Sequence, residues 1–294
     1  MAKKQHTTTQ KQVTEILKVS TGGFDCCLVG RDFVCNRVSE KAKRELLFPN
    51  PRVSGIRTTL KHVPVDEFRA SPYLLKDPSQ PTLLAMLSSA FHKAIANATL
   101  DMSAKKTEIY RRMWIEGDKT NIYGVPKLWM TIVRSADMNR TPDVRTRARL
   151  PEWACRLRIT FVEPLIKAQA LVNLLASAGL TIGVGDGRQE KGSGMHCGNF
   201  RIVGENDADF KRIVKEGGRK AQQAALDHPV AYDDETLELL TWFDTELERR
   251  RKAGAPQVES GPVAHARAVR PNGKIITDGH QKGARGETHA SAAR

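Results

Sequence analysis

The sequence predicts an α+β protein whose core elements run strand, helix, strand, strand, helix, strand. Three observations predict it. An apolar run, Ala154–Val162, leads into a helix-periodic stretch from about Pro164 to Ala178, then a glycine-dense loop, then a second strand-like run, Asn199–Val203. A short apolar run bounded by glycines, Phe24–Val29, precedes another helix-periodic stretch that starts at Pro81. Between these halves lies an arginine-rich segment, Arg140–Arg158, almost free of acidic residues.

Taken in order, residues 1–19 are polar and basic and predict a flexible arm, with at most a short helix at Val13–Lys18. Phe24–Val29 reads as the first strand, which Phe33–Val38 continues or pairs with. Ser39 starts a helix to about Leu47, and Pro49 and Pro51 stop it. Further prolines at 64, 72 and 78 predict an irregular excursion across 49–80. Pro81 suits the first turn of a helix, and Leu83, Leu84, Met86, Leu87, Ala90, Phe91, Ala94 and Ile95 recur at helical spacing on one broad face. His92 on that helix reads as a structural histidine. Ile109–Ile115 and Val125–Val133 are strand candidates, and the tryptophans at 114, 129 and 153 read as core. Asp209 to about Leu226 and Asp233 to about Lys252 read as helices. Beyond Gly254 large apolar residues almost vanish, so the composition predicts a disordered cationic tail. The organisation expected is an arm at 1–19, a core at 20–205 with insertions at 30–80 and 116–153, a helical extension at 206–252, and a tail at 253–294. The element order βαββαβ is the ferredoxin-like one.

The glycine loop carries six glycines, at 183, 185, 187, 192, 194 and 198, with Arg188 and Lys191 at its tip. Glycine permits positive φ and lets backbone amides approach a ligand, and successive amides can form a concavity for an anion. No Gly-Lys-Ser/Thr opens a helix here, and the loop runs into a strand. The loop therefore fits neither a phosphate-binding P-loop nor a dinucleotide fingerprint, and no nucleotide cofactor is expected. Arg145, Arg147 and Arg149 alternate at period two, which puts them on one face if the chain is extended. With Arg140 they are expected to form a phosphate-contacting loop. Arg156 and Arg158 fall on the polar face of the strand that follows.

The glycine loop, with Gly183, Gly185, Arg188, Gly192, Gly194, Gly198 and Phe200 between a helix and a final strand, resembles that of the RAMP superfamily, the RRM-like proteins of CRISPR systems. The resemblance covers about 50 residues and includes the Cas7-type subunits that coat RNA. It implies an RRM/RAMP-type sheet, RNA as ligand and assembly along it. More broadly, Val38–Leu47 and Gly183–Arg188 resemble a family of phage- and prophage-encoded proteins over most of residues 25–250. The third core strand reads Cys-Arg-Leu-Arg-Ile-Thr-Phe, without the aromatic signature of the common RNA-recognition motif, so loop contacts to the backbone are expected rather than base stacking.

Formal charge is +14, so an acidic partner is expected; residues 249–294 hold ten Lys/Arg against three Asp/Glu, half of that excess. No apolar run is long enough to span a membrane, and the first residues lack the apolar segment of a signal peptide. Five cysteines without a Cys-x-x-Cys pair predict buried, reduced thiols, a cytoplasmic setting and no metal. The function expected is non-enzymatic binding of single-stranded RNA or DNA, in a homo-oligomer or ribonucleoprotein complex, through Gly183, Gly185, Arg188, Lys191, Gly192, Gly194, Arg140, Arg145, Arg147, Arg149, Arg156 and Arg158. Two alternatives stand beside it. One is a metal-independent endoribonuclease with His196 as general base, and the other is a phage structural or assembly protein.

Overall fold

The computed structural model describes residues 17–47, 60–102, 104–134, 142–191 and 194–252; of Lys41, Glu45, Leu46, Asp101 and Lys191 only the backbone is described. The elements are β1 (Ser20–Val34), α1 (Glu40–Leu47), α2 (Pro64–Ala70), β2 (Tyr73–Leu74), β3 (Leu84–Leu87), α3 (Ser88–Asn97), α4 (Lys106–Arg112), β4 (Met113–Ile115), β5 (Lys119–Asn121), β6 (Lys127–Arg134), β7 (Pro142–Glu163), α5 (Ala168–Ser177), β8 (Phe200–Val203), α6 (Ala208–Glu216), α7 (Arg219–Asp227) and α8 (Asp234–Lys252). The protein is mixed α+β with antiparallel sheets. Among the described residues no helix is long and apolar enough to cross a membrane. The expected arm, up to residue 16, and the expected tail, 253–294, lie outside the described residues.

The chain divides into two compact units, interleaved in sequence. The first comprises the chain to Val34, Tyr73–Gly124 and Pro151–Arg219. Its main sheet has the order β4–β7–β1–β8. Gly30 of β1 lies opposite Phe200 of β8, and Ile115 of β4 opposite Ile159 of β7. Successive residues of a strand face opposite sides, and β7 shows the consequence. Trp153 is fully buried, with its ring 5.4 Å from Phe33, 6.3 Å from Phe91 of α3 and 6.0 Å from Phe200. Its neighbour Ala154 packs instead with Cys27, Val29, and Phe210 and Ile213 of α6. Gly30 makes room for this core, since a Cβ there would collide with the Trp153 indole and the Asn199 carbonyl. A smaller antiparallel sheet, β2–β3–β5, belongs to the same unit.

The second unit comprises Cys35–Pro72, Val125–Leu150 and the chain from Lys220. Its centre is a two-stranded ribbon in which β6 pairs with the first part of β7, from Lys127 opposite Arg149 to Arg134 opposite Pro142. Residues 230–232 run beside β6: Leu128 donates its amide to the Val230 carbonyl and Tyr232 donates to Leu128, both at 2.8 Å. The other edge is satisfied largely by side chains. The Thr146 amide donates to the Glu67 carboxylate at 3.1 Å and the Ala148 amide to the Ser71 hydroxyl at 2.7 Å. An exposed row of backbone donors is thereby covered.

Several expected elements differ. The first strand is longer, running from Ser20 to Val34, so that Phe33 and Val34 of the second run continue it and residues 35–38 do not. The helix expected from Pro81 begins at Ser88, because Leu84–Leu87 is an apolar run that pairs with β2 and β5; such short runs do not reveal their period. The strand expected at Ile109–Ile115 is helical to Arg112, where the Glu108–Arg112 pair at helical spacing closes at 3.1 Å and Ile109 alone is buried. The helix expected at 209–226 breaks at Gly217-Gly218, where the Gly217 carbonyl accepts from Gly124. Trp153 and Trp129 are core, but Trp114 is 40% exposed on the edge strand β4. Arg145, Arg147 and Arg149, expected in a loop, lie on β7 with Arg156 and Arg158, and Arg140 lies outside the described residues.

Candidate functional site

The glycine loop folds on itself and on the end of β1. Gly183, Gly185, Gly187, Gly194 and Gly198 all have positive φ, between 65° and 87°. At Gly198 a Cβ would collide with the Val184 carbonyl, and at Gly185 it would lie 2.7 Å from the Val34 carbonyl oxygen. These two glycines admit backbone of the protein itself, not a ligand. The amides are committed in the same way: Gly183 donates to Ala178, Val184 to Gly198, Asp186 to Val34, Cys197 to Gly187, and Gly198 to Arg31 and Asp32. An anion concavity needs amides pointing outward; these five point inward. Gly192 lies outside the described residues.

Arg188 is not a free tip cation either. Its guanidinium donates to the Gly185 carbonyl at 2.8 Å and to Glu190 at 2.9 Å, and its side chain is 24% exposed. Glu190 also accepts from Asn97 at the end of α3. His196 is exposed with φ of 51°, and its Nδ1 is 3.2 Å from the Gln189 side-chain oxygen. Among the described residues no carboxylate is hydrogen-bonded to its ring.

The sheet face that carries Arg156 and Arg158 is closed in two ways. Helix α6 lies over Cys27, Val29 and Ala154, and carboxylates neutralise the arginines around it. Arg156 pairs with Glu205 at 2.9 Å and sits 5.4 Å over the Phe210 ring. Arg158 pairs with Asp25 at 2.7 Å, and Arg201 with Asp207 and Asp209 at 3.0 and 2.7 Å. The scarcity of acids near Arg156 and Arg158 in sequence is thus made good by Asp25 of β1 and by Glu205 just past β8.

The ribbon differs. Thr146, Ala148 and Leu150 are buried, while Arg145, Arg147 and Arg149 alternate with them on the other face, opposite Thr131, Trp129 and Lys127 of β6. Arg145 is the most open, its side chain 54% exposed and 3.5 Å from Asp143. Arg149 is caged, its guanidinium 4.7 Å from the Trp129 ring centre and 4.0 Å from that of Tyr232. Arg145–Arg149 and Arg156–Arg158 belong to different units.

Along the β7 edge of the ribbon, beside Arg145, lies a cluster that the sequence reading missed. His62 sits between two carboxylates, Nδ1 2.7 Å from Glu67 and Nε2 2.9 Å from Asp143. Lys61 reaches the same Asp143 oxygen at 2.6 Å. Burial alone would raise the Asp143 carboxyl, but the Lys61 and His62 hydrogen bonds outweigh it and hold the group below the usual carboxylate range. The available signal was Pro64-Val-Asp-Glu67, a proline followed by acids, which marks a helix start just after His62.

The cysteines are free, and four of them are buried. Burial pushes the Cys35 thiol up to about 12, and burial with the Cys27 and Asp25 charges does the same for Cys26, so neither is poised as a nucleophile. His92 stacks on Tyr110 at 4.3 Å, and burial, ahead of the Lys93 charge, lowers its pKa. A scan of the chain against models of known protein families finds no match, and no curated protein matches it.

Proposed function

We propose that the protein binds single-stranded nucleic acid, RNA foremost, without cleaving it. The observation that carries this reading is the arginine face of the β6–β7 ribbon, where Arg145 and Arg147 stand at alternate positions of one strand with Thr146 and Ala148 turned away, and the caged Arg149 bounds the row. Such a row, spaced about 7 Å from one side chain to the next, suits the repeat of a phosphate chain better than it suits a small anion. The formal charge of +14 supports the same reading.

The fold supports it at a coarser level. Counting only β1, β4, β7 and β8, the first and third strands lie in the middle of the sheet and the fourth and second at its edges, with α3 and α5 in the crossovers. We read this as the ferredoxin-like arrangement of RRM and RAMP proteins. The contact surface departs from the usual RRM sheet, whose place is taken here by α6 and its carboxylates. The glycine loop is assigned a structural role.

The test is affinity for a labelled single-stranded RNA, with a DNA of the same sequence beside it, from about 50 to 300 mM salt. Binding should weaken steeply with salt, and Arg145→Ala with Arg147→Ala should make the slope shallower by about two counterions. No binding at the low end, or a slope unchanged in the variant, rejects the reading. The RNA should be recovered intact. Cleavage without metal that His196→Ala abolishes would place the protein among ribonucleases instead.

A further inference from the structure

The cluster at the β7 edge suggests how that arginine face is controlled, an inference that rests on the reading just given. Asp143 has two oxygens with different neighbours. One accepts from Lys61 and from His62 Nε2; the other faces Arg145. The remaining ring nitrogen of His62 meets Glu67, whose second oxygen accepts from the Thr146 amide, one residue beyond Arg145. A neutral imidazole carries one N–H and can satisfy one of these carboxylates; an imidazolium satisfies both. The charged groups facing His62 are therefore Glu67 from α2, Lys61 beside it, and Asp143 and, behind it, Arg145 from β7. On β6, Val133 stands opposite Asp143 and Arg134 opposite Pro142.

We propose that His62 is a positioning residue for the arginine face: doubly protonated, it balances Asp143 together with Lys61 and leaves Arg145 to a phosphate, and on losing a proton it returns Asp143 to Arg145. The same proton fastens α2 to β7 through Glu67 and Thr146. Acid therefore strengthens binding at Arg145, beyond the general gain from protonating other histidines. That gain is read by comparing variants, since exposed histidines contribute alike to all of them.

The experiment measures affinity for the labelled RNA at about pH 5.5 and about pH 8, on either side of the ordinary histidine pKa, in wild type, His62→Gln and Arg145→Ala. The wild-type ratio between the two pH values should exceed that of either variant by on the order of two- to threefold, the effect of one unit charge about 8 Å away in water, since His62 reaches Arg145 through Asp143. Without RNA, exchange protection of the Thr146 amide, corrected for its intrinsic rate, should fall as pH rises in wild type but not in His62→Gln. A His62→Gln ratio equal to that of wild type overturns the proposal while the nucleic-acid reading stands, as does Thr146 protection indifferent to His62. RNA that binds at neither pH overturns both, and Thr146 then reports only on a structural clamp.

Discussion

At the scale of single residues, the arginines divide by what holds them. Arg188, expected to meet phosphate, instead ties Gly185 to Glu190. Arg188→Ala should cost about 1 kcal/mol in chemical denaturation, with little change in RNA affinity; an unchanged midpoint would return Arg188 to the list of ligand contacts. Asp143 gives a pH signature. Its folded carboxyl is depressed, so the stability it contributes is present above the ordinary carboxylate pKa and lost as pH falls through the depressed value. Asp143→Asn should therefore be less stable than wild type by on the order of 1–3 kcal/mol near neutral pH, and the gap should narrow as pH falls below the ordinary carboxylate range. Denaturant midpoints of the two proteins across that range check it. The sequence named Arg188 from its place among glycines. It could not show that the guanidinium turns inward, because the acceptors, a carbonyl of its own loop and a neighbouring glutamate, are set by the loop's folded path.

At the scale of elements, β7 was legible in part. Its apolar second half, Ala154–Val162, announced a strand, and the period-two arginines before it announced the face they would share. That both belong to one strand from Pro142 to Glu163 was hidden by Pro151 and by a change in which alternate residues are buried, from Thr146, Ala148 and Leu150 to Trp153, Cys155 and Leu157. Helix α4 was missed because its last residues run straight into the apolar strand Met113–Ile115, while its Glu108–Arg112 pair acts at helical spacing. Within the ribbon the arginines are not equivalent. Arg149→Ala removes a cation caged by Trp129 and Tyr232 and should lower stability by about 1–2 kcal/mol, whereas Arg145→Ala should leave stability nearly unchanged and weaken RNA binding. Thermal unfolding and affinity measured on the same two variants test this; the opposite assignment of effects would mean that Arg149 is the contact and Arg145 the support.

At the scale of the whole molecule, residues 253–294 hold six Lys/Arg against three Asp/Glu and almost no large apolar side chains. A chain ending at Lys252 should keep cooperative unfolding and bind RNA more weakly, with a shallower salt slope; loss of cooperative unfolding would show that the removed segment supports the fold. The α+β class and most core elements could be read locally, from period and turn residues. The interleaving of the two units could not, since Cys35–Pro72, Val125–Leu150 and the chain from Lys220 come together only through pairing between distant segments. The inward-facing glycine loop has a kinetic consequence. Its hydrogen bonds run to Arg31, Asp32 and Val34, so it can close only after β8 has found its register on β1. What closes last is absent from the folding barrier, and its loss is felt on the way out. Gly198→Ala should fold at nearly the wild-type rate and unfold many times faster, the two limbs of a chevron plot separating the effects; equal slowing of folding would mean that the loop forms early and guides the sheet.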